Sequence, residues 1–366
     1  MSEPHAKVVL APCMGVGKVV ANVTRRAAYL AKGACPEDTE LLSIPALLAG
    51  SAEERALVAN HPVVVIEGCV LRCASHVMKF FGVTPVAKIE VSQLIREKRL
   101  TPGKTRKELE ETGKKLAEAV AERMADVLRD EPTLANWQEP AELTELPCAC
   151  PARDPVGGPE LIRLGIKGPT DAPAPGQEPP AQGVTFLPCQ GLKRSGARIA
   201  QRTAYHLCED EDKLLGKSQP LCISALAAGV AEDVHYYQDF PTVALNGCGM
   251  NCATKVAEFY GIPAVRSVNL AEAFPDYPGE HISLHEDLTP EEAAVAREWA
   301  ERLFPEMKAL LENTTWTPRQ MDSHGIVNDP KGIEAEFGYQ KTAKGFDVAT
   351  RRPHPPAPFP TREGGA

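Results

Sequence analysis

The sequence contains no apolar run approaching the roughly 20 residues that a membrane-spanning helix needs. Met1 to Leu10 lacks a basic segment followed by an apolar stretch and a cleavage site, so no secretory leader is expected. No cluster of Lys and Arg is interleaved with aromatics, and the net charge is −9, from 40 basic and 49 acidic residues. Neither a membrane nor a nucleic acid is therefore expected as a partner, and the expected location is the cytoplasm. No Ser/His/Asp triad, paired carboxylate or cofactor loop stands out. The segment CMGVGKV looks like a phosphate loop, but Pro12 stands where its first Gly is needed and Val19 where Ser or Thr should follow the Lys.

The chain does hold 11 cysteines among 366 residues, a high count for a chain in a reducing compartment. Thiols there stay reduced, so clustered cysteines point to metal binding or thiol chemistry rather than disulfides. Hydrophobic residues make up 43% and charged residues 24%, which is a globular composition. The length suggests two domains.

An internal repeat accounts for both. Ala11–Tyr29 matches Leu187–Tyr205 at 7 of 19 positions, Leu41–Gly50 matches Pro220–Gly229 at 6 of 10, and His61–Gly82 matches Phe240–Gly261 at 9 of 22. The offset is 176 for the first block and 179 for the others, so order and spacing are kept.

Each half alternates strand and helix. Lys7–Ala11, Glu40–Ile44 and the β-branched Pro62–Ile66 read as buried parallel strands, with a further strand in Val83–Val91. Ala74, Val77, Met78 and Phe81, and their counterparts Ala253, Val256, Ala257 and Tyr260, fall on one helix face. A long helix is expected over Thr101–Asp130. Another is expected from the capping box Thr289-Pro290-Glu291-Glu292 to about Asn313. The fold class is α/β: two similar Rossmann-like three-layer domains with parallel sheets, from an internal duplication. The expected domains are residues 1–130 and 184–314, joined by a Pro- and Gly-rich linker over 131–183. Residues 315–366 read as a disordered or loosely docked tail.

The cysteines fall at corresponding places in the two halves. Cys13 and Cys189 follow the first strand of each half. Cys69 and Cys248 follow the third, and Cys73 and Cys252 lie four residues on, at a helix start. Ligands of open parallel sheets bind at the carboxyl ends of the strands, so these thiols should converge there. Helix starts favour anions and hence thiolates. The second strand breaks the symmetry, with Cys222 in one half and Ser43 in the other. Cys189, Cys222, Cys248 and Cys252 are therefore expected to form one four-thiol site. Cys13, Cys69 and Cys73 are left with three, with Cys35 as a substitute fourth ligand. The second site should then bind metal more tightly and the first should be the open one. Cys208, Cys148 and Cys150 have no aligned partner. His76 is matched by Lys255 and reads as a solvated helix residue. Arg26 and Arg202, and Tyr29 and Tyr205, are paired helix positions suited to core, rim or supporting roles.

The Cys-x-Gly turn, the second-strand Cys and the Gly-Cys-x-x-x-Cys motifs of Gly68–Cys73 and Gly247–Cys252 resemble the DGC (Asp-Gly-Cys) domain family, over residues 7–95 and 183–272. The resemblance implies zinc bound through Cys13, Cys69 and Cys73 in one copy and Cys189, Cys222, Cys248 and Cys252 in the other. The family's Asp is Glu67 in one copy and Asn246 in the other, so no acid–base role carries over. Three functions fit the residues: a zinc-binding protein, an iron–sulfur redox protein, and a thiol or persulfide sulfur carrier. The partner in each case is a metal ion or an unidentified protein.

Overall fold

The computed structural model describes residues 7–144 and, apart from some positions between 229 and 280, residues 183–313. The tail over 315–366, most of the linker, Cys148 and Cys150 lie outside the described residues.

The first half runs β1 (Val8–Pro12), α1 (Val20–Ala34), β2 (Thr39–Leu41), α2 (Ile44–Leu48), α3 (Ala52–Asn60), β3 (Val63–Glu67), α4 (Cys73–Phe80), β4 (Ala87–Glu90), α5 (Val91–Lys98), α6 (Glu111–Arg129) and α7 (Glu131–Ala135). The second half runs β5 (Val184–Pro188), α8 (Ser195–Glu209), β6 (Ser218–Pro220), α9 (Ile223–Ala227), β7 (Thr242–Asn246), α10 (Cys252–Phe259), β8 (Arg266–Asn269), α11 (Leu270–Ala273) and α12 (Pro290–Asn313). The strand orders are β2-β1-β3-β4 and β6-β5-β7-β8, parallel throughout, with matching registers. The two halves thus share one doubly wound topology, as the repeat predicts.

Burial on both faces explains the strand composition. Val63, Val64, Val65 and Ile66 of β3 are all buried, each worth about 1.5–3 kcal/mol. Thr289 opens α12 as a reciprocal capping box: its amide donates to Glu292 Oε2 at 2.8 Å, and the Glu292 amide donates to Thr289 Oγ1 at 3.2 Å. The helix expected over Thr101–Asp130 starts only at Glu111. Arg99 ends α5 in a left-handed conformation, and Pro102 and Gly103 (φ 97°) turn the chain before helix can resume. Leu109 is nevertheless buried, in a loop.

The halves are packed together. One core cluster takes Leu221, Cys222, Ile223, Leu226 and Ala253 of the second half together with the first half's core. At this seam α2 packs on α10, and α4 on α9. Arg25 of α1 is fully buried and clamps the seam. Its guanidinium donates to both carboxylate oxygens of Glu286 (2.7 and 2.9 Å), to the Gly15 carbonyl (2.8 Å) and to Asn22 Oδ1 (2.6 Å). Tyr29 Oη donates to the Leu192 carbonyl at 2.8 Å.

Candidate metal centres

In each sheet the chain leaves the first strand in both directions, so the crevice of the doubly wound fold opens between β1 and β3 and between β5 and β7. Cys13 follows β1, Cys69 follows β3 and Cys73 begins α4. Cys189, Cys248 and Cys252 occupy the same places around β5, β7 and α10. The loops between strand and helix are tight. The Arg72 amide bonds the Cys69 carbonyl and the Asn251 amide the Cys248 carbonyl, both at 3.2 Å. Arg72 and Asn251 themselves take left-handed φ of 50° and 54°, a strained backbone kept in both copies. Backbone N–H groups are aimed at the first cysteine of each set: those of Gly15 and Gly68 at Cys13, and those of Gly191 and Gly247 at Cys189.

The second-strand residue crosses the seam. Cys222 does not join the other thiols of its own half. Its sulfur accepts from the Val16 amide at 3.0 Å and the Gly17 amide at 3.2 Å, both in the loop that carries Cys13. A Cβ placed on Gly15 would stand 3.3 Å from Cys222 Sγ and 3.7 Å from Cys13 Sγ. The counterpart on Gly191 would stand 3.4 Å from Ser43 Oγ and 3.8 Å from Cys189 Sγ. The exchange follows from helix packing: α9 begins just after Cys222 and packs on α4, which begins at Cys73, while α2 begins just after Ser43 and packs on α10, which begins at Cys252. A carboxylate fixes each crossing residue, Glu54 buried and Asp233 half-buried. Glu54 Oε2 accepts from the Ser43 amide (3.1 Å) and Asp233 Oδ1 from the Cys222 amide (2.8 Å).

The thiol groups are therefore Cys13, Cys69, Cys73 and Cys222 on one side, and Cys189, Cys248 and Cys252 with Ser43 on the other. This corrects the expectation that Cys222 joins the thiols of its own half. Cys35 is no substitute ligand either. It caps the carboxyl end of α1, about 22 Å of helix from the end nearest Cys13. Cys208 is buried in the outer core of the second half. His76 is half-buried on α4 rather than fully solvated. Tyr29 supports the Leu192 carbonyl, while Tyr205 Oη is buried without a hydrogen bond. Arg26 pairs with Asp287.

The two groups differ electrostatically. Burial, with the neighbouring Cys69 adding to it, pushes Cys13 up to about 12. Burial also raises Cys69 and Cys222, and it raises Cys73 well above an ordinary thiol. These sulfurs raise one another further: Cys13, Cys69 and Cys222 all act on Cys73. Four thiols so placed cannot ionise together without a compensating cation. In the second group, Cys189 is pulled down to about 7 because the Cys252 S–H donates to it, and Cys252 rises correspondingly. The Cys189, Cys248, Cys252 and Ser43 side chains also share the wall of a cavity of about 330 Å³.

None of the described cysteines is joined in a disulfide. Among the described residues, no three His, Cys, Asp or Glu side chains stand in the tight arrangement of a loaded metal site. The donor set nevertheless suits a soft or borderline cation: thiols converge at the strand ends with amide N–H groups aimed at them, and the buried Glu67 carboxylate stands close enough to raise Cys13, Cys69 and Cys73.

The DGC domain family model matches residues 9–120 and 185–294, and the chain belongs to that family as a tandem duplicate. Metal binding is ascribed to the family. Comparisons with curated proteins and with solved structures find no match. No helix among the described residues is long and apolar enough to cross a membrane.

Proposed function

We propose that the chain is a zinc–thiolate protein with two unlike sites, the first completed from the opposite half and the second left open. Cys13, Cys69, Cys73 and Cys222 would hold the first metal in a closed, four-thiolate set. Cys189, Cys248 and Cys252 would hold the second and leave one position open. The observation that carries this reading is the seating of Cys222 Sγ on the Val16 and Gly17 amides beside Cys13. Zinc so bound would supply positive charge that keeps the thiolates ionised at neutral pH. The first site then ties the halves together, and the second is the functional one, since reactive metal sites keep an open position. Reduced thiols and metal suit a cytoplasmic protein.

The lowered Cys189 favours a second reading, in which this thiolate carries sulfur without a metal. Anaerobic purification, metal analysis and a visible spectrum separate the readings. Two zinc ions on a colourless protein support the proposal, with one lost in Cys73→Ser and the other in Cys252→Ser. A brown protein points to an iron–sulfur cluster. A metal-free protein bearing labile sulfur points to the carrier.

A further inference from the structure

The surroundings of the second thiol group differ from those of the first in more than the missing sulfur. Of the large hydrophobic side chains most exposed on the described surface, Met250, Ile282 and Leu284 all line the 330 Å³ cavity, and Ile282 is 78% exposed. Three such side chains around one opening that ends in thiols form an apolar mouth rather than scattered surface residues.

That mouth is built and held. Gly196 stands where the first half has Val20, and a Cβ there would lie 1.7 Å from the Gly247 carbonyl oxygen. Its absence lets Gly279 and the following strand-like segment dock on the start of α8. The Gly196 amide bonds the Gly279 carbonyl (3.1 Å), the Ser195 amide bonds the His281 carbonyl (2.9 Å), and the Ser283 amide bonds the Lys193 carbonyl (3.1 Å). Arg198 holds the segment through the Ser283 carbonyl at 3.1 Å, and Arg25 holds it through Glu286. Ile282 and Leu284 are thus exposed on an anchored segment.

The lysines on the wall are already matched within the chain. Lys193 lies 2.8 Å from Glu53 and 3.0 Å from Glu54, and Lys32 lies 3.5 Å from Glu40. These ammonium groups are therefore not held ready for an anionic ligand.

We propose that this cavity binds a small thiol with an uncharged, apolar body, and this rests on the reading of Cys189, Cys248 and Cys252 as a metal site. The apolar body lies against Met250, Ile282 and Leu284. The sulfur lies beside Ser43, where the twin site has Cys222. Three thiolates already outweigh a zinc ion's two positive charges, so the ion is too weak a Lewis acid there to draw in a hydroxyl, and a soft sulfur is the fourth donor that matches the set. The thiol enters as thiolate, and its proton passes to solvent.

The test uses the full chain loaded with cobalt(II), whose visible absorption reports sulfur donors, titrated with phenylmethanethiol. Phenylmethanol, which lacks the sulfur, and glutathione, which adds charge, serve as controls. The expected result is saturation at one phenylmethanethiol per chain, with weaker or no response to either control. Ser43→Cys should keep both metals and abolish the response. The surface variant Ile282→Asp/Leu284→Ser should keep both metals and weaken binding about tenfold. If both metals are present but phenylmethanethiol leaves the spectrum unchanged, or binds wild type and Ser43→Cys alike, the inference is overturned and the metal-site reading stands. If Cys252→Ser removes no metal, the metal-site reading falls and the inference with it.

Discussion

At the first thiol group the fourth position is filled by Cys222, and at the second by Ser43. The two side chains reach their clusters at nearly the same distances, 3.3 Å and 3.4 Å from the corresponding points on Gly15 and Gly191. One duplicated backbone thus yields two unlike chemical environments through a change of a single atom, oxygen for sulfur. The surroundings have diverged along with it. Glu67 stands buried behind the first group and Asn246 behind the second, and the Asn is bonded to Thr254, Ser267 and the Val268 carbonyl. The second half has also gained the segment that forms an apolar mouth. A duplicated fold therefore allows one copy to hold the pair together while the other remains accessible, because each copy contributes a residue to its twin's site.

The largest expected effect tests that crossing. Cys222→Ser should weaken metal binding by Cys13, Cys69 and Cys73, and leave Cys189, Cys248 and Cys252 unaffected. The loss should exceed the roughly 10–100-fold caused by removing a supporting partner, since a direct ligand is lost. Ser43→Cys should strengthen the second site. Chelator competition on each variant measures both. A Cys222→Ser protein that loses metal from the Cys189 group instead would restore the within-half assignment.

Much of this was legible in the sequence. The repeat fixed the equivalence of the halves, the β-branched run of Pro62–Ile66 marked β3, and thiols following strands pointed to one edge of each sheet. The partner of Cys222 was not legible, because a repeat shows which residues are equivalent but not whether equivalent loops meet within a half or across the seam. The seam is set by α2, α4, α9 and α10; α4 and α10 each carry an apolar face, but that pattern does not say whether the face meets its own half or the other. A weak signal existed in Glu54 and Asp233, acidic residues kept 11 positions after Ser43 and Cys222 and accepting hydrogen bonds from their amides. Arg25 was missed because its counterpart is Gln201 and the repeat therefore gave no sign of its role. The late start of α6 could have been read from Thr101-Pro102-Gly103, where turn chemistry overrides apolar spacing.

The seam itself is next in size. Arg25→Ala leaves the Glu286 carboxylate buried and unpaired and should cost about 3–5 kcal/mol. Denaturant unfolding of the metal-free protein checks this. Gln201→Ala, at the matching place in the second half, should cost much less. Equal losses would mean that the clamp contributes nothing particular to the joining of the halves.

The glycine difference predicts a smaller asymmetry. Gly196→Val restores the first half's residue but drives a side chain into the Gly247 backbone. It should destabilise by about 1–3 kcal/mol and displace the Ile282–Leu284 segment. Val20→Gly, at the first position of α1, should cost less than the roughly 1 kcal/mol of a glycine in a helix interior. Thermal unfolding together with proteolysis near residue 282 distinguishes the two. A Gly196→Val protein as resistant as wild type would show that the close approach is not required.

The smallest effect is a difference in protons. In the first group burial keeps all four thiols protonated in the absence of metal, with Cys13 at about 12. Metal uptake there must displace four protons, and affinity should rise steeply as pH increases. In the second group Cys189 sits near 7, its charge held by the Cys252 S–H, so at about pH 8 it has largely lost its proton before metal arrives. The second site should then release at least one proton fewer than its three thiols would suggest, and its affinity should climb less steeply with pH. Below about pH 6 Cys189 is protonated again, and the release should return to the full count. Calorimetry in buffers of differing ionisation enthalpy can count these protons on Cys252→Ser, which keeps the first site, and Cys73→Ser, which keeps the second. Equal release per thiol in the two variants at about pH 8 would show that the Cys189–Cys252 pair does not share a proton as its geometry implies.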